Sequence, residues 1–122
     1  MSITDNLAKL ELYLERNSFL IEWFLWLNKK GNEPIDHDTW RECALGQFLL
    51  SIGVVVTHGI GFKEPIQFLL LSGVIDYEFY DLLEDHGDNQ FKTHEELASY
   101  ILTTRMSTQQ FAIAVDRLKF EK

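Results

Sequence analysis

Apolar residues recur every three or four positions along most of the chain, which is the spacing of one face of an α-helix. The first apolar stripe begins with Leu7 and Leu10, and it either breaks near Asn17 or continues to Lys30. The basic residues before Gly31 predict a helix end there, because glycine readily adopts the left-handed conformation that closes many helices. The N-terminal quarter of the chain is therefore predicted to form one or two helices.

Three segments have the spacing of a capping box, in which a Ser or Thr caps a helix that carries Glu or Gln three residues later. They begin at Thr39, Thr93 and Ser107. Asp76 is a fourth predicted start, since an aspartate side chain accepts hydrogen bonds from the free N–H groups of the first turn. With no hairpin signal in the sequence, the pattern predicts an all-α protein, a compact single-domain bundle of five or six helices over residues 1–122.

Large apolar residues on these stripes form the predicted core. The segment from Phe19 to Leu27 is apolar nearly all round, with Glu22 as its polar break. One side of this helix is therefore an alternative contact surface for a homodimer or another partner. The residues expected to be largely buried are Trp23, Phe24, Trp40, Phe48, Leu69, Leu82, Leu97, Phe111 and Val115.

Composition and charge narrow the classes of function. The 122 residues are 46% hydrophobic, which excludes a disordered chain, and the net charge is -8. This charge opposes direct binding to nucleic acid and to anionic membrane surfaces, because both are themselves negative. It favours rapid encounter with basic proteins.

Compartment and membrane signals agree with a protein of the cytoplasm. Cys43 is the one cysteine, so no internal disulfide forms, and the N-terminal residues show no secretory signal pattern. The uncharged run 43–62 contains four glycines and several polar residues, and Pro65 follows it. We therefore expect a buried helical pair in this region and not a membrane span.

The densest charge lies in residues 76–88, which hold six carboxylates and no Lys or Arg. We call these residues the acidic segment. If it is helical, one face carries a stripe of acid formed by Glu78, Asp81, Asp85 and Asp88. The opposite face, which can be buried, carries Phe79, Leu82, Leu83 and His86. The predicted partner-binding residues are Asp76, Tyr77, Glu78, Tyr80, Asp81, Glu84, Asp85 and Asp88.

Metal binding is the main alternative, because zinc prefers Cys and His ligands. The segment Cys43–Leu49 resembles the Cys-containing motif of chemoreceptor zinc-binding domains, and the sequence starting at His94 is similar to the end of that family's paired-histidine helix. The resemblance covers these two patches alone. The family has an early His three residues before a Trp, where this chain has Leu20, and its later pair lies one helical turn apart, whereas His86 and His94 are eight residues apart.

That resemblance implies a zinc-binding sensory or regulatory domain that uses Cys43 with His86 and His94. Because the chain departs from the family's pattern, the preferred interpretation has no metal and no other cofactor. Cys43 is then a small buried core residue, as lone cysteines on apolar helix faces usually are.

No pattern of catalytic residues is complete. The chain has no nucleophile elbow, no phosphate-binding glycine-rich loop and no His-Glu-x-x-His pair, so we expect a protein that is not an enzyme. The C-terminal residues have a helix-turn-helix cadence, but the turn from Ile101 to Ser107 is longer than that motif tolerates. Two packed terminal helices are the preferred interpretation.

These observations favour a small acidic inhibitor that binds a protein. By analogy of size and charge, it belongs with immunity proteins, antitoxins and phage anti-defence proteins. Its expected partner is a basic protein such as a toxin or nuclease. The carboxylates would speed association, while Tyr77, Tyr80 and Phe79 would supply the desolvated contact area.

Overall fold

The computed structural model describes residues 3–34, 44–54, 69–79 and 91–120, and the regular structure within them is helical. The predicted all-α class is confirmed. The longer elements are α1 (Ile3–Glu15), α2 (Phe19–Lys30), α3 (Ala44–Ser51), α4 (His94–Tyr100), a π-helical turn (Ile101–Arg105) and α5 (Thr108–Phe120). Residues 69–72 and 77–79, between these elements in sequence, are also helical.

The first apolar stripe is divided into two helices at Asn17. This residue has a φ of 54°, a left-handed conformation that asparagine tolerates better than most residues. The Asn17 N–H donates to the Leu14 carbonyl at 3.1 Å, and the Ser18 N–H donates to the Tyr13 carbonyl at 2.8 Å. This paired arrangement is a Schellman closure, so of the two predicted alternatives the structure has the break.

The stops of α2 and α3 are also local. α2 ends at Lys30 and is followed by Gly31 at φ 60°, as the sequence pattern predicts. α3 ends at Ser51, and the chain turns at Gly53 with a φ of 88°. The Lys9 ammonium donates to the Gly53 carbonyl at 2.9 Å, which places a positive charge at the negative end of α3.

Helix starts at Thr93 and Ser107 are confirmed by their capping bonds. The Glu96 N–H donates to the Thr93 hydroxyl at 3.3 Å, and the Glu96 carboxylate accepts from the Lys92 N–H at 2.8 Å. At the next helix the Gln110 N–H donates to the Ser107 hydroxyl at 3.2 Å, and the Ser107 N–H donates to the Gln110 side chain at 2.9 Å. The predicted start at Thr39 lies outside the described residues.

α2 is the centre of the described fold, since α1, α3, α4, the π-helical turn and α5 all pack against it. Its Trp23 is fully buried and lies nearly parallel to two phenylalanine rings. The ring centroid of Phe48 is 6.3 Å from that of Trp23, and the centroid of Phe79 is 5.8 Å away, both at interplanar angles below 25°. This stack joins α3 and the start of the acidic segment to the central helix.

Among the described residues, the predicted core is largely correct. Trp23, Phe24, Phe48, Leu69 and Leu97 are buried. Two further predictions, Trp40 and Leu82, lie outside the described residues. Two residues of α5 differ from the prediction, because Phe111 is 43% exposed and Val115 is half-buried.

The burial of Phe111 was predicted wrongly because a polar residue occupies the inner face of α5. Gln110 is buried, and its amide N–H group donates to the Asn17 side chain at 3.0 Å and to the Asn17 carbonyl at 3.3 Å. Ala114, one turn later, is also buried. Phe111 follows Gln110 and is therefore rotated by about 100° away from the packed face.

No helix in the described parts of the chain is long and apolar enough to cross a membrane.

Candidate functional site

The acidic segment begins directly after a tight corner in the chain. Residues 69–72 form a helical turn that ends at Gly73, whose φ of 84° turns the backbone. The Leu69 carbonyl accepts from the Ser72 hydroxyl at 2.8 Å and from the Ile75 N–H at 3.4 Å. Leu69 and Ile75 are both buried, so the two sides of the corner are held in the core.

Asp76 starts the helical turn of the acidic segment, as predicted. Its Oδ1 accepts from the Phe79 N–H at 2.8 Å, which is an N-cap bond. Its Oδ2 accepts from the Arg105 guanidinium at 2.6 Å. The hydrogen bond from Arg105 and then that from the Phe79 N–H lower the pKa of the Asp76 carboxyl below its ordinary value. Asp76 thus has two partners within its own chain, although the sequence analysis assigned it to partner binding.

The next two predicted site residues are exposed. The Tyr77 side chain is 74% exposed, and Glu78 is exposed beside it. The Asp76 side chain is also exposed, at 51%, but it is already paired with Arg105. The other predicted partner-binding residues lie outside the described residues, namely Tyr80, Asp81, Glu84, Asp85 and Asp88.

Phe79 points into the core, and its interpretation as partner contact area is wrong. It has no exposed surface, and its ring lies 5.8 Å from Trp23 and 5.5 Å from Tyr100 between centroids. The Arg105 guanidinium lies 4.9 Å from the centroid of the Phe79 ring. Phe79 therefore anchors the beginning of the acidic segment, in agreement with the prediction that it lies on the buried helix face.

Arg105 reaches both Asp76 and Phe79 from the end of the π-helical turn. The Met106 N–H donates to the Ile101 carbonyl at 3.0 Å, a bond that spans five residues where an α-helix spans four. One extra residue in a turn rotates everything after it by about 100° relative to a regular helix. Arg105 is the last residue of the π-helical turn, and its side chain is 18% exposed.

His94, a residue of the zinc alternative, has a partner in the fold. Its Nδ1 lies 2.7 Å from the Glu33 carbonyl oxygen, and because a carbonyl only accepts, Nδ1 carries the proton and donates. The ring is buried and lies 5.7 Å from Trp26 between centroids, in an edge-to-face arrangement. Backbone bonds from His94 to the Glu33 carbonyl and from Glu95 to the Gly31 carbonyl join the same two regions.

His94 therefore connects the loop after α2 to the start of α4. Within the described residues, no three His, Cys, Asp or Glu side chains converge as metal ligands. Cys43 and His86, the other two residues of the zinc alternative, lie outside the described residues.

The aromatic face of α2 gives little surface to a second molecule. Phe19, Trp23 and Phe24 are each at most 3% exposed, and Trp26 is half-buried against Phe48. These side chains already pack against their own chain. A homodimer contact would have to use another surface.

Two residues beside the acidic segment, Leu71 and Arg105, are not identified by any sequence pattern. The Leu71 side chain is 88% exposed at the corner before the acidic segment. Leu71 belongs to a run of consecutive apolar residues, and such a run does not indicate which residue faces solvent. Its exposure therefore could not be predicted from the sequence. Arg105 is 29 residues from its partner Asp76, so no local spacing links the two.

The chain matches no protein-family model, no curated protein and no solved structure.

Proposed function

We propose that this protein is a small acidic inhibitor that binds and occludes a basic protein of the toxin or nuclease type, as immunity proteins, antitoxins and phage anti-defence proteins do. The observation that carries the proposal is the placement of residues 76–79, at the start of the acidic segment. Its first turn is anchored by Phe79 and Asp76, while Tyr77 and Glu78 beside them are exposed. A dense run of acidic residues whose first turn is anchored suits a docking element.

The charge of the acidic segment would attract a basic partner over a distance. Residues 76–88 contain six carboxylates and no Lys or Arg, in a chain whose net charge is -8. Asp76 is paired with Arg105, so its charge is largely compensated, and the other carboxylates of the segment supply the attraction. Such a field speeds encounter with a basic partner and becomes weaker as salt is added.

Inhibition would require no chemistry from this chain. A nuclease cleft is lined with positive charge because it binds phosphate, and a dense acidic surface competes for the same side chains. The exposed Tyr77 ring would add contact area that excludes water at the centre of the interface. We place this action in the cytoplasm, where the single cysteine, Cys43, would remain a free thiol.

The test compares two variants that each remove four negative charges. The docking variant replaces the predicted stripe, with Glu78→Gln, Asp81→Asn, Asp85→Asn and Asp88→Asn. The control variant replaces exposed carboxylates on α1, α4 and α5, with Glu11→Gln, Glu15→Gln, Glu95→Gln and Asp116→Asn. Each tagged protein is used to recover bound proteins from the source cells at low and high salt. A recovered nuclease or toxin is then assayed for activity with each variant.

The proposal expects a basic protein that the wild type and the control variant bind and inhibit, and that the docking variant binds much more slowly. The free docking variant should be as stable as the wild type or slightly more stable, because removing exposed like charges relieves repulsion. Equal association rates for the two variants, or recovery of no basic protein, would refute the proposal. Unfolding of the docking variant would give the segment a structural role.

A further inference from the structure

We propose that Leu71 and Tyr77 form the apolar centre of a docking surface for a basic protein, a partner whose own surface has an apolar pocket surrounded by Lys and Arg. Together with Glu78 we call these residues the docking corner. The inference rests on the proposed function for the charge of the partner. It adds the contacts that would hold the partner after charge has attracted it.

Leu71 and Tyr77 are both largely exposed to solvent. Leu71, at 88%, is the most exposed of the large hydrophobic side chains in the described residues, and Tyr77 is 74% exposed. Six positions separate the two in sequence, on either side of the turn at Gly73. Transfer of a large apolar side chain out of water lowers the free energy. Burial of both side chains in a pocket of the partner would therefore stabilise the complex.

The backbone that carries Leu71 and Tyr77 is held by buried neighbours. Leu71 comes two residues after Leu69, and Tyr77 comes two residues after Ile75, while the Leu69 carbonyl and the Ile75 N–H are hydrogen-bonded at 3.4 Å. Leu69 and Ile75 are both buried. The backbone that carries the two exposed side chains is therefore held in place by the core. Binding to a surface that is already ordered costs less conformational entropy.

The far side of the corner is fixed by Arg105. Its guanidinium donates to Asp76 at 2.6 Å and lies against the Phe79 ring, the residues on either side of Tyr77 and Glu78. These contacts hold the first turn of the acidic segment against the π-helical turn. Tyr77 and Glu78 thus project from a turn whose two ends are anchored.

Charge identifies the occupant. The docking corner lies in a stretch from Lys63 to Lys92 with no Lys or Arg between them, and Arg105, which lies beside the corner, is paired with Asp76. A nucleic acid, an anionic lipid surface and a second copy of this acidic chain would all meet like charge there. A basic protein meets opposite charge at Glu78 and in the carboxylates that follow it in sequence. Its apolar pocket would receive Leu71 and the Tyr77 ring.

Two synthetic peptides with equal numbers of arginines serve as probes. One alternates arginine with leucine, and the other alternates arginine with serine. Dissociation constants for the full-length protein are measured at low and high salt, and amide chemical shifts of the ¹⁵N-labelled protein locate the bound peptide. The variants are Leu71→Ala, Tyr77→Ala and Tyr77→Phe. The matched control is Leu12→Ala, which makes the same change at an exposed leucine on α1.

The expected result is that the arginine–leucine peptide binds the wild type about tenfold more tightly than the arginine–serine peptide, a difference of ~1.4 kcal/mol. Leu71→Ala and Tyr77→Ala should each remove most of this preference, while Tyr77→Phe and Leu12→Ala should keep it. Shift changes should centre on residues 69–79.

Three results would overturn the inference. These are equal affinity for the two peptides, a preference that survives Leu71→Ala, and a preference that Leu12→Ala removes equally well. Salt-dependent binding of both peptides with equal affinity would refute the docking corner and leave the acidic attraction intact. If neither peptide binds at low salt, the proposed function fails together with the inference.

Discussion

Asp76 makes two contacts that substitution can separate. Its Oδ1 caps the helical turn through the Phe79 N–H, and its Oδ2 accepts from Arg105. Asparagine caps a helix about as well as aspartate but has no charge, so Asp76→Asn removes the ion pair and keeps the cap. Asp76→Ala removes both. The difference between the two variants in free energy of unfolding therefore measures the cap.

The expected size of each contribution depends on how exposed the two side chains are. The Asp76 side chain is 51% exposed and that of Arg105 is 18% exposed, so water screens the pair and its contribution should be at most about 1 kcal/mol. Loss of an N-cap costs about 1 kcal/mol. We therefore expect Asp76→Asn to lower the free energy of unfolding by about 0.5–1 kcal/mol and Asp76→Ala by about 1.5–2 kcal/mol.

The contribution of the ion pair depends on pH in a defined direction. Arg105 lowers the pKa of the folded Asp76 carboxyl, so the folded state favours the charged form more than the unfolded state does. The stabilisation is fully present above the ordinary aspartate pKa of about 3.9. It is lost as the pH falls below that value and through the lowered pKa of the folded state. The difference between wild type and Asp76→Asn should shrink in that acidic range.

Urea unfolding at neutral and at acidic pH, followed by circular dichroism, measures these differences. A double-mutant cycle with Arg105→Gln isolates the coupling between the two side chains from the contact of Arg105 with Phe79. The same cost for Asp76→Asn and Asp76→Ala would show that the cap contributes nothing. A coupling of zero, or no loss in Asp76→Asn at neutral pH, would refute the anchoring role of Arg105.

Four further substitutions test the fold by the same unfolding assay. Phe48→Ala should cost about 3–5 kcal/mol, because it leaves a cavity beside the central stack, and a cost under 1 kcal/mol would contradict the burial of Phe48. Gly53→Ala and Gly73→Ala should both destabilise by about 1–2 kcal/mol because of positive φ. Gly53→Ala should cost more, since its Cβ would lie 3.0 Å from the Lys9 ammonium whereas nothing lies within 4 Å at Gly73; equal costs would show that Lys9 moves freely. Gln110→Ala should lower the free energy of unfolding by about 2 kcal/mol, because it removes the hydrogen bonds of Gln110 to the Ser107 N–H and to Asn17. An unchanged stability would show that these hydrogen bonds do not stabilise the fold.

The sequence determined the helical class and several helix ends. Capping boxes at Thr93 and Ser107, the cap at Asp76 and the stop at Gly31 all form as predicted. Each depends on residues within four positions of one another, so the sequence contains both partners of the contact. The exposure of Tyr77 and Glu78 agrees with the role predicted for them and does not test it.

Only the tertiary structure decided which polar groups are used inside the protein. Asp76 pairs with Arg105 across 29 positions, His94 bonds to Glu33 across 61, and Gln110 bonds to Asn17 across 93. These contacts give Asp76 partners within its own chain and make His94 a connection between two elements.

The exposure of Leu71 was also decided by the tertiary structure alone. Apolar periodicity predicts that a residue can be buried, but only the packing of neighbouring elements decides which face is covered. Leu71 and Phe111 are exposed, whereas Leu69 and Gln110, which lie close to them in sequence, are buried. A local pattern fixes the helix, whereas the rotation of that helix about its axis is chosen by the sum of distant contacts.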